Sequence, residues 1–230
     1  VCHSPLTVLN QQIVACRLCP RLTEYRERIA IEKRRAFRSW EYWGKPVPGF
    51  GEDRARLLIV GLAPAAHGAN RTGRVFTGDR SGDFLYRALY ETGFASQPHS
   101  VSKDDGLVLY GAYISSAVRC APPDNKPTLV EIHACRGYLA REIDLLENLR
   151  VVVALGALGF NAYLSILRDR GEIASRAAFR FGHNVEHRTG PAHPLLIGSY
   201  HPSQQNTSTG RLTLAMLIDV FRHAKAAAAS

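Results

Sequence analysis

Three short runs in this chain carry almost nothing but apolar side chains: Leu57-Leu58-Ile59-Val60, Val151-Val152-Val153-Ala154-Leu155-Gly156 and Leu195-Leu196-Ile197-Gly198. A strand with one face in water alternates apolar and polar residues. A run that is apolar at every position is buried on both faces, as in a parallel sheet covered by helices. Between the runs lie helical segments. Residues 81–92 begin at Ser81, a good N-cap, place Phe84, Leu85, Ala88 and Leu89 on one side, and stop at Gly93. Further helices are expected over 128–147, 157–170 and 211–226, and strands over 56–60, 108–118, 151–156 and 194–199. Strands alternating with helices argue for an α/β fold whose parallel sheet has helices on both sides.

At the start, residues 6–30 offer Leu6, Leu9, Ile13, Leu18, Leu22 and Ile29 as the apolar side of a helix, which Pro20 kinks or divides. Residues 31–55 are basic at Lys33-Arg34-Arg35, then aromatic at Trp40, Tyr42 and Trp43. They read as an irregular excursion that either stacks on bases and phosphates or covers a core edge. Segments 95–106 and 171–193 are poorly patterned. A chain of 230 residues can bury a full core, so a single domain over 1–230 is expected.

No apolar run approaches the roughly 18 residues needed to cross a bilayer. The opening Val1-Cys2-His3-Ser4-Pro5 has no basic stretch followed by an apolar one. No membrane association and a cytoplasmic location are therefore expected, although a chain starting at Val leaves room for a removed leader. Lys and Arg number 29 against 20 Asp and Glu, a net charge of +9. Such an excess attracts polyanions through counterion release and long-range steering, with solubility alone as the competing account.

The chemistry-bearing residues follow two of the strands, at 61–79 and 199–206. Open α/β sheets bind ligands just beyond the carboxyl ends of their strands. The first loop matches neither the P-loop nor the dinucleotide fingerprint. Its Gly61, Gly68, Gly73 and Gly78 instead let backbone approach a ligand closely. Phe76, between two of these glycines, can lie flat on a heterocyclic base or be a core residue. Asp79 is the sole carboxylate between Asp53 and Asp83. It can orient a water or stabilise a cationic sugar, or it can cap the following helix. His201 precedes Pro202, which keeps it extended. It can donate a hydrogen bond to a carbonyl oxygen that becomes anionic, or it is structural. Seven polar uncharged residues, Ser203 to Thr209, follow, with Arg211 behind them. Ser203, Gln204, Gln205, Asn206 and Arg211 suit phosphate contacts, or form an ordinary solvated loop.

Five cysteines stand at positions 2, 16, 19, 120 and 135. Without a secretion signal a disulfide framework is the weaker account. Cys16 and Cys19 form a CxxC, and Cys120 and Cys135 a wider pair with fourteen residues between them. Four thiolates can hold a structural zinc or an iron–sulfur cluster; the wide second spacing leans toward the cluster. Four independent cysteines are the bland alternative. Against it, Pro122, Pro123 and Pro127 hold the segment after Cys120 out of helix and ladder, as a metal-binding turn would need. Cys2 is expected not to be a ligand.

Together these segments resemble the iron–sulfur uracil-DNA glycosylases of family 5 (type b). The carriers are GLAPAAHGANRTGRVFTGD at 61–79, VRCAPPDNKPT at 118–128, SYHPSQQNTSTGRLT at 199–213 and EYWGKPVPGF at 41–50. The resemblance implies a three-layer αβα sandwich with a central four-stranded parallel sheet. It also implies a 4Fe–4S cluster on Cys16, Cys19, Cys120 and Cys135. Phe76 would stack on an extruded base, His201 would contact its carbonyl, Asp79 would assist water or the sugar cation, and Asn125 would serve base binding or catalysis. Gly61, Ala63, Ala65, His67 and Ser116 would complete the base pocket. Related iron–sulfur glycosylases carry an acidic residue where this chain has Leu62-Ala63, and an Asn where Ser116 stands. The resemblance therefore implies an enzyme acting on several deaminated bases in DNA, uracil and hypoxanthine among them. An abasic site without strand scission is expected because no lysine is placed for a Schiff base, and a monomer is expected because nothing in the sequence points to oligomerisation. A non-enzymatic nucleic-acid-binding module braced by a metal centre is the alternative. A zinc hydrolase is a further rival, which four closed cysteine ligands disfavour.

Overall fold

The computed structural model describes residues 4–229, so Cys2 lies outside the described residues. The N-terminal helical stretch is two helices, α1 (Pro5–Val14) and α2 (Pro20–Glu32). Each starts on a proline, whose missing N–H costs nothing in the first turn. Ser4 caps α1 by accepting from Thr7 N, and Cys19 is the N-cap residue of α2. Pro20 thus divides the segment and leaves Cys16 and Cys19 in the break.

Four parallel strands form the middle of the sheet: β2 (Leu57–Gly61), β3 (Ala112–Ser116), β4 (Val151–Leu155) and β6 (Leu195–Ser199). Every residue in them is buried. Two-residue antiparallel strands, β1 (Phe50–Gly51) and β5 (Glu186–His187), close the edges in the order β1-β3-β2-β4-β6-β5. Such short edges offer little template for another chain. Two differences from expectation have local causes. The strand expected over 108–118 is confined to β3, because Gly111 turns with φ +60° and Leu109 makes only a single bridge to Ala95. The helix expected over 211–226 is α8 (Leu214–Ala229), and a short helix that was not expected, α7 (Gln204–Ser208), precedes it, the two separated at Gly210 with φ +70°.

Alternate strand residues face opposite layers. Leu57, Ile59, Val153, Leu155 and Ile197 pack with α4 (Arg80–Glu91), which follows the short α3 (Ala69–Thr72), and with α8 through Leu85, Leu89, Leu217 and Phe221. Leu58, Val60, Val152, Ala154 and Leu196 pack with α1, α5 (Leu129–Leu145) and α6 (Ala157–Asp169) through Leu9, Ile13, Leu139, Phe160 and Leu164. This is the αβα sandwich, and it explains why the strands read as unbroken apolar runs. The chain leaves β2 toward β3 and leaves β4 toward β6, so the strand order reverses between β2 and β4. A crevice opens at the carboxyl ends of strands at such a point.

A buried polar network locks β3 to α5. Glu142 pairs with Arg119, accepts from Ser115 Oγ at 2.5 Å, and accepts from Tyr113 OH at 3.3 Å. Glu142 and Arg119 are essentially inaccessible. The Arg119 backbone N–H also points at Cys135 Sγ, 3.3 Å away.

Candidate active site

The loops after β2 and β6 meet at that crevice. The Phe76 and His201 rings have centroids 5.8 Å apart with planes 34° from parallel. Gly61, the last residue of β2, lies under the Phe76 ring: a Cβ there would stand 2.7 Å from Cε2. Gly156, just past β4, lies against His201, with a built Cβ 3.3 Å from the His201 Cβ. Carboxyl ends of three adjacent parallel strands therefore supply the floor, and glycine at two of them makes room for the rings.

Phe76 holds φ +51°, a region bulky residues rarely occupy. Such strain persists where surrounding structure over-determines it, commonly at ligand clamps. Here the Phe76 carbonyl oxygen abuts Gly82, where no Cβ would fit. The ring is only partly buried, packed on the core along one side. Asp79 combines the two roles open to it in sequence. Its Oδ1 caps α4 by accepting from Gly82 N at 3.0 Å, while Oδ2 lies against Gly68. Burial pushes its carboxyl above the usual Asp range, opposed by hydrogen bonds from the Gly82 and Ser81 backbone. Burial pushes the His201 imidazole down to about 4, so the ring is neutral at physiological pH.

Other expected site residues sit as follows. His67 Nδ1 lies 3.1 Å from Tyr42 OH, and burial together with the charges of Arg34 and Arg71 lowers its pKa. Ala65 is half-buried, and its carbonyl accepts from Gly68 N and Asn70 N. Ser116, paired with Gly61 across the sheet, gives its hydroxyl proton to the Val118 carbonyl at 3.0 Å. Ala63 packs against the cluster of Leu22, Val118, Cys120 and Cys135. Asn125 is exposed at φ +56°, and its side chain makes no hydrogen bond among the described residues. Ser203 caps α7, accepting from Asn206 N at 3.4 Å. Asn206 Nδ2 donates to the His201 carbonyl at 2.9 Å, holding the His201 backbone from below. Gln204 and Gln205 are exposed. The Arg211 guanidinium lies 4.7 Å over the Tyr200 ring, which also stacks on His183 at 5.0 Å and meets Phe181 at 6.3 Å.

The four described cysteines are free thiols lining one cavity between the α1–α2 break, the segment after β3, and α5. Burial pushes Cys120 up to about 12 and Cys135 to about 11. No three His, Cys, Asp or Glu side chains among the described residues stand close enough to grip a single ion. What the fold brings together is four thiols from three segments. Beside them is Arg26, buried, with Nε and Nη1 unpaired and Nη2 3.5 Å from the Cys16 carbonyl. A donor set of four thiols flanked by a desolvated cation fits an anionic metal–thiolate group.

Sequence reasoning missed Arg71. Its guanidinium sits in the corner formed by the Phe37 and Trp40 rings, 3.9 and 4.2 Å from their centroids. Nε donates to the His67 carbonyl and Nη2 to the Gly78 carbonyl, both at 2.8 Å. It thus closes the 67–78 loop on itself and fastens the aromatic excursion to it. Its aromatic partners lie some thirty residues upstream, so no local pattern reveals them.

The fold and the strand-end loops define an α/β protein with an aromatic-lined crevice at the switch point of its sheet. The model of the uracil DNA glycosylase superfamily matches residues 48–225. The chain is 55% identical over 218 residues to the "Type-5 uracil-DNA glycosylase" of Mycobacterium leprae, covering 94% of this chain and 93% of that one. It is 50% identical to the protein of that name in Thermus thermophilus, covering 94% of each. To a "Type-4 uracil-DNA glycosylase" of Pyrobaculum aerophilum it is 31% identical, over 73% of this chain and 68% of that one. This chain belongs to the uracil DNA glycosylase superfamily.

Proposed function

We propose that the protein is a monofunctional uracil-DNA glycosylase of base-excision repair. It hydrolyses the N-glycosidic bond of uracil, and of other deaminated bases such as hypoxanthine, and leaves an abasic site. The observation that carries this reading is the meeting of Phe76 and His201 over Gly61 and Gly156 at the carboxyl ends of β2 and β4, with Asp79 fixed on Gly68 and Gly82 of the Phe76 loop, in a chain of this superfamily.

A base inside a duplex is out of reach, so the nucleotide is extruded at a cost of a few kcal/mol, least for mispaired bases. Phe76 offers its open face to the extruded ring. As the C1′–N1 bond breaks, its electron pair moves onto the base and charge gathers on a carbonyl oxygen. The neutral His201 imidazole donates an N–H to that oxygen. A neutral donor suits this role, because it stabilises the anion without first protonating the ground state. On the sugar side, Asp79 keeps Oδ1 on the helix cap and presents Oδ2 to the water that adds to C1′. The carboxylate also offsets the cationic sugar, and solvent returns the proton to the departed base.

Substrate breadth is supported by the Ser116 hydroxyl, which turns to Val118 rather than reading the base, and by the absence of an acid at Leu62-Ala63. Cys16, Cys19, Cys120 and Cys135 would hold a 4Fe–4S cluster, with Arg26 offsetting its negative charge. When bound, the cluster braces α2, α5 and the segment after β3. The enzyme acts as a monomer in the cytoplasm. No helix among the described residues is long and apolar enough to cross a membrane.

Incubation with a uracil-containing duplex, followed by alkaline cleavage of abasic sites, tests the reading. Strand scission by the wild type and its loss in His201→Ala are expected. No scission with uracil or hypoxanthine substrates overturns it.

A further inference from the structure

The basic part of the 33–45 excursion has no task in the fold. Arg34, Arg35 and Arg38 are exposed and make no ion pair among the described residues. Glu41, in the same segment, pairs with none of them. An unpaired row of arginines is ordinarily a solvated face. This one is different because the segment bearing it is fastened to the base-pocket loop at several points. Arg71 grips Phe37 and Trp40 on one side and the His67 and Gly78 carbonyls on the other. Trp43 N donates to the Arg71 carbonyl at 2.9 Å, and Gly44 N to the Asn70 carbonyl at 3.0 Å. Tyr42, buried, lies with its hydroxyl 3.1 Å from His67 Nδ1 and accepts from Arg34 N at 3.3 Å. Arg34 therefore stands two hydrogen bonds from His67, which itself adjoins the Gly68 that Asp79 Oδ2 touches. The row is held in place beside the pocket.

We propose that Arg34, Arg35 and Arg38 form a phosphate-binding rim on the 67–79 side of the base pocket, engaging the DNA backbone next to the extruded nucleotide. This rests on the glycosylase reading and adds to it a surface outside the two strand-end loops. Guanidinium groups match phosphate oxygens bidentately, and each phosphate they neutralise releases counterions. The aromatics of this segment act as fasteners: Phe37 and Trp40 lie on Arg71, Tyr42 is buried against His67 and Trp43 packs on the core, so the cations are what DNA meets.

The test compares wild type with the triple variant Arg34→Gln/Arg35→Gln/Arg38→Gln. Binding to an undamaged duplex is measured by fluorescence anisotropy between 50 and 200 mM salt, alongside single-turnover uracil release at saturating enzyme. Each lost phosphate contact lowers the slope of log K against log salt by about 0.9, so a slope shallower by roughly 2–3 is expected. The variant Arg34→Lys/Arg35→Lys/Arg38→Lys should recover most of the slope. An unchanged slope in the glutamine variant, or a lysine variant as shallow as it, overturns the proposal. If the wild type releases no base while the glutamine variant's slope is still shallower by roughly 2–3, the glycosylase reading falls and the phosphate rim stands.

Discussion

Gly61→Ala probes the stacking platform without touching any group that performs chemistry. The added Cβ would stand 2.7 and 2.8 Å from Cε2 and Cζ of Phe76, with nothing else closer than 3.8 Å. Ordinary carbon–carbon contact lies near 3.5–4.0 Å, so the ring must move by about 1 Å. The Phe76 backbone cannot absorb that movement, because its carbonyl abuts Gly82 and its φ is already +51°. The side chain therefore tilts into the space a base would occupy. A misplacement of about 1 Å at a reacting centre can cost roughly 100-fold in rate. Overpacking typically costs about 1–3 kcal/mol, which for a chain of this size lowers Tm by about 2–12 °C. Single-turnover release of uracil and calorimetric Tm measure the two effects separately. In Gly61→Ala/Phe76→Leu the ring is gone and the clash with it, so the double variant should be no slower than Phe76→Leu alone. A Gly61→Ala enzyme with wild-type rate and Tm would refute the reasoning, because Phe76 would then not be held over Gly61 during the reaction.

Four further outcomes are expected. Because burial raises the Asp79 carboxyl, the acid limb of the pH–rate profile should fall above the ordinary Asp value of about 3.9, and Asp79→Asn should remove it. His201, neutral down to about 4, contributes no break between pH 5 and 8. In stability its sign is the reverse of a salt-bridged histidine. The unfolded ring takes its proton near 6.5 and the folded one near 4, so stability declines as pH falls through that window, and His201→Ala should flatten the decline in urea titrations. Glu142→Ala leaves Arg119 buried without its partner, which should lower unfolding free energy by about 3–5 kcal/mol in denaturant titrations; an unchanged midpoint would contradict the network. Anaerobically purified wild type should be brown, with iron and acid-labile sulfide, and Cys120→Ser should lose both; colourless wild type containing zinc would contradict the cluster.

Much of the fold was legible because burial on both faces writes itself into sequence as unbroken apolar runs, and β2, β4 and β6 stand where those runs are. Pro20 marked the division between α1 and α2 for the same elementary reason, a missing N–H. The edge strands β1 and β5 were not legible, since two residues carry no periodicity. Helix α7 was hidden because its residues are all polar; it is held by the Ser203 cap and by Thr207 and Thr209 hydroxyls donating to carbonyls one turn back. At the site, Phe76, Asp79 and His201 were legible as chemical types following strands. The strain at Phe76 was not, because φ > 0 is advertised by glycine and hidden by phenylalanine. Ala63 lies on the expected loop yet faces the cysteines, as successive loop residues have no fixed alternation to read.

The central claim is that residues 61–79 and 199–206 build one cavity for a single nucleobase. Crystals soaked with free uracil test it most directly. The account predicts the pyrimidine stacked on the open face of Phe76, with a carbonyl oxygen roughly 3 Å from a His201 ring nitrogen. Uracil bound elsewhere, or a Phe76–His201 space that closes and excludes it at saturating concentration, would contradict the account.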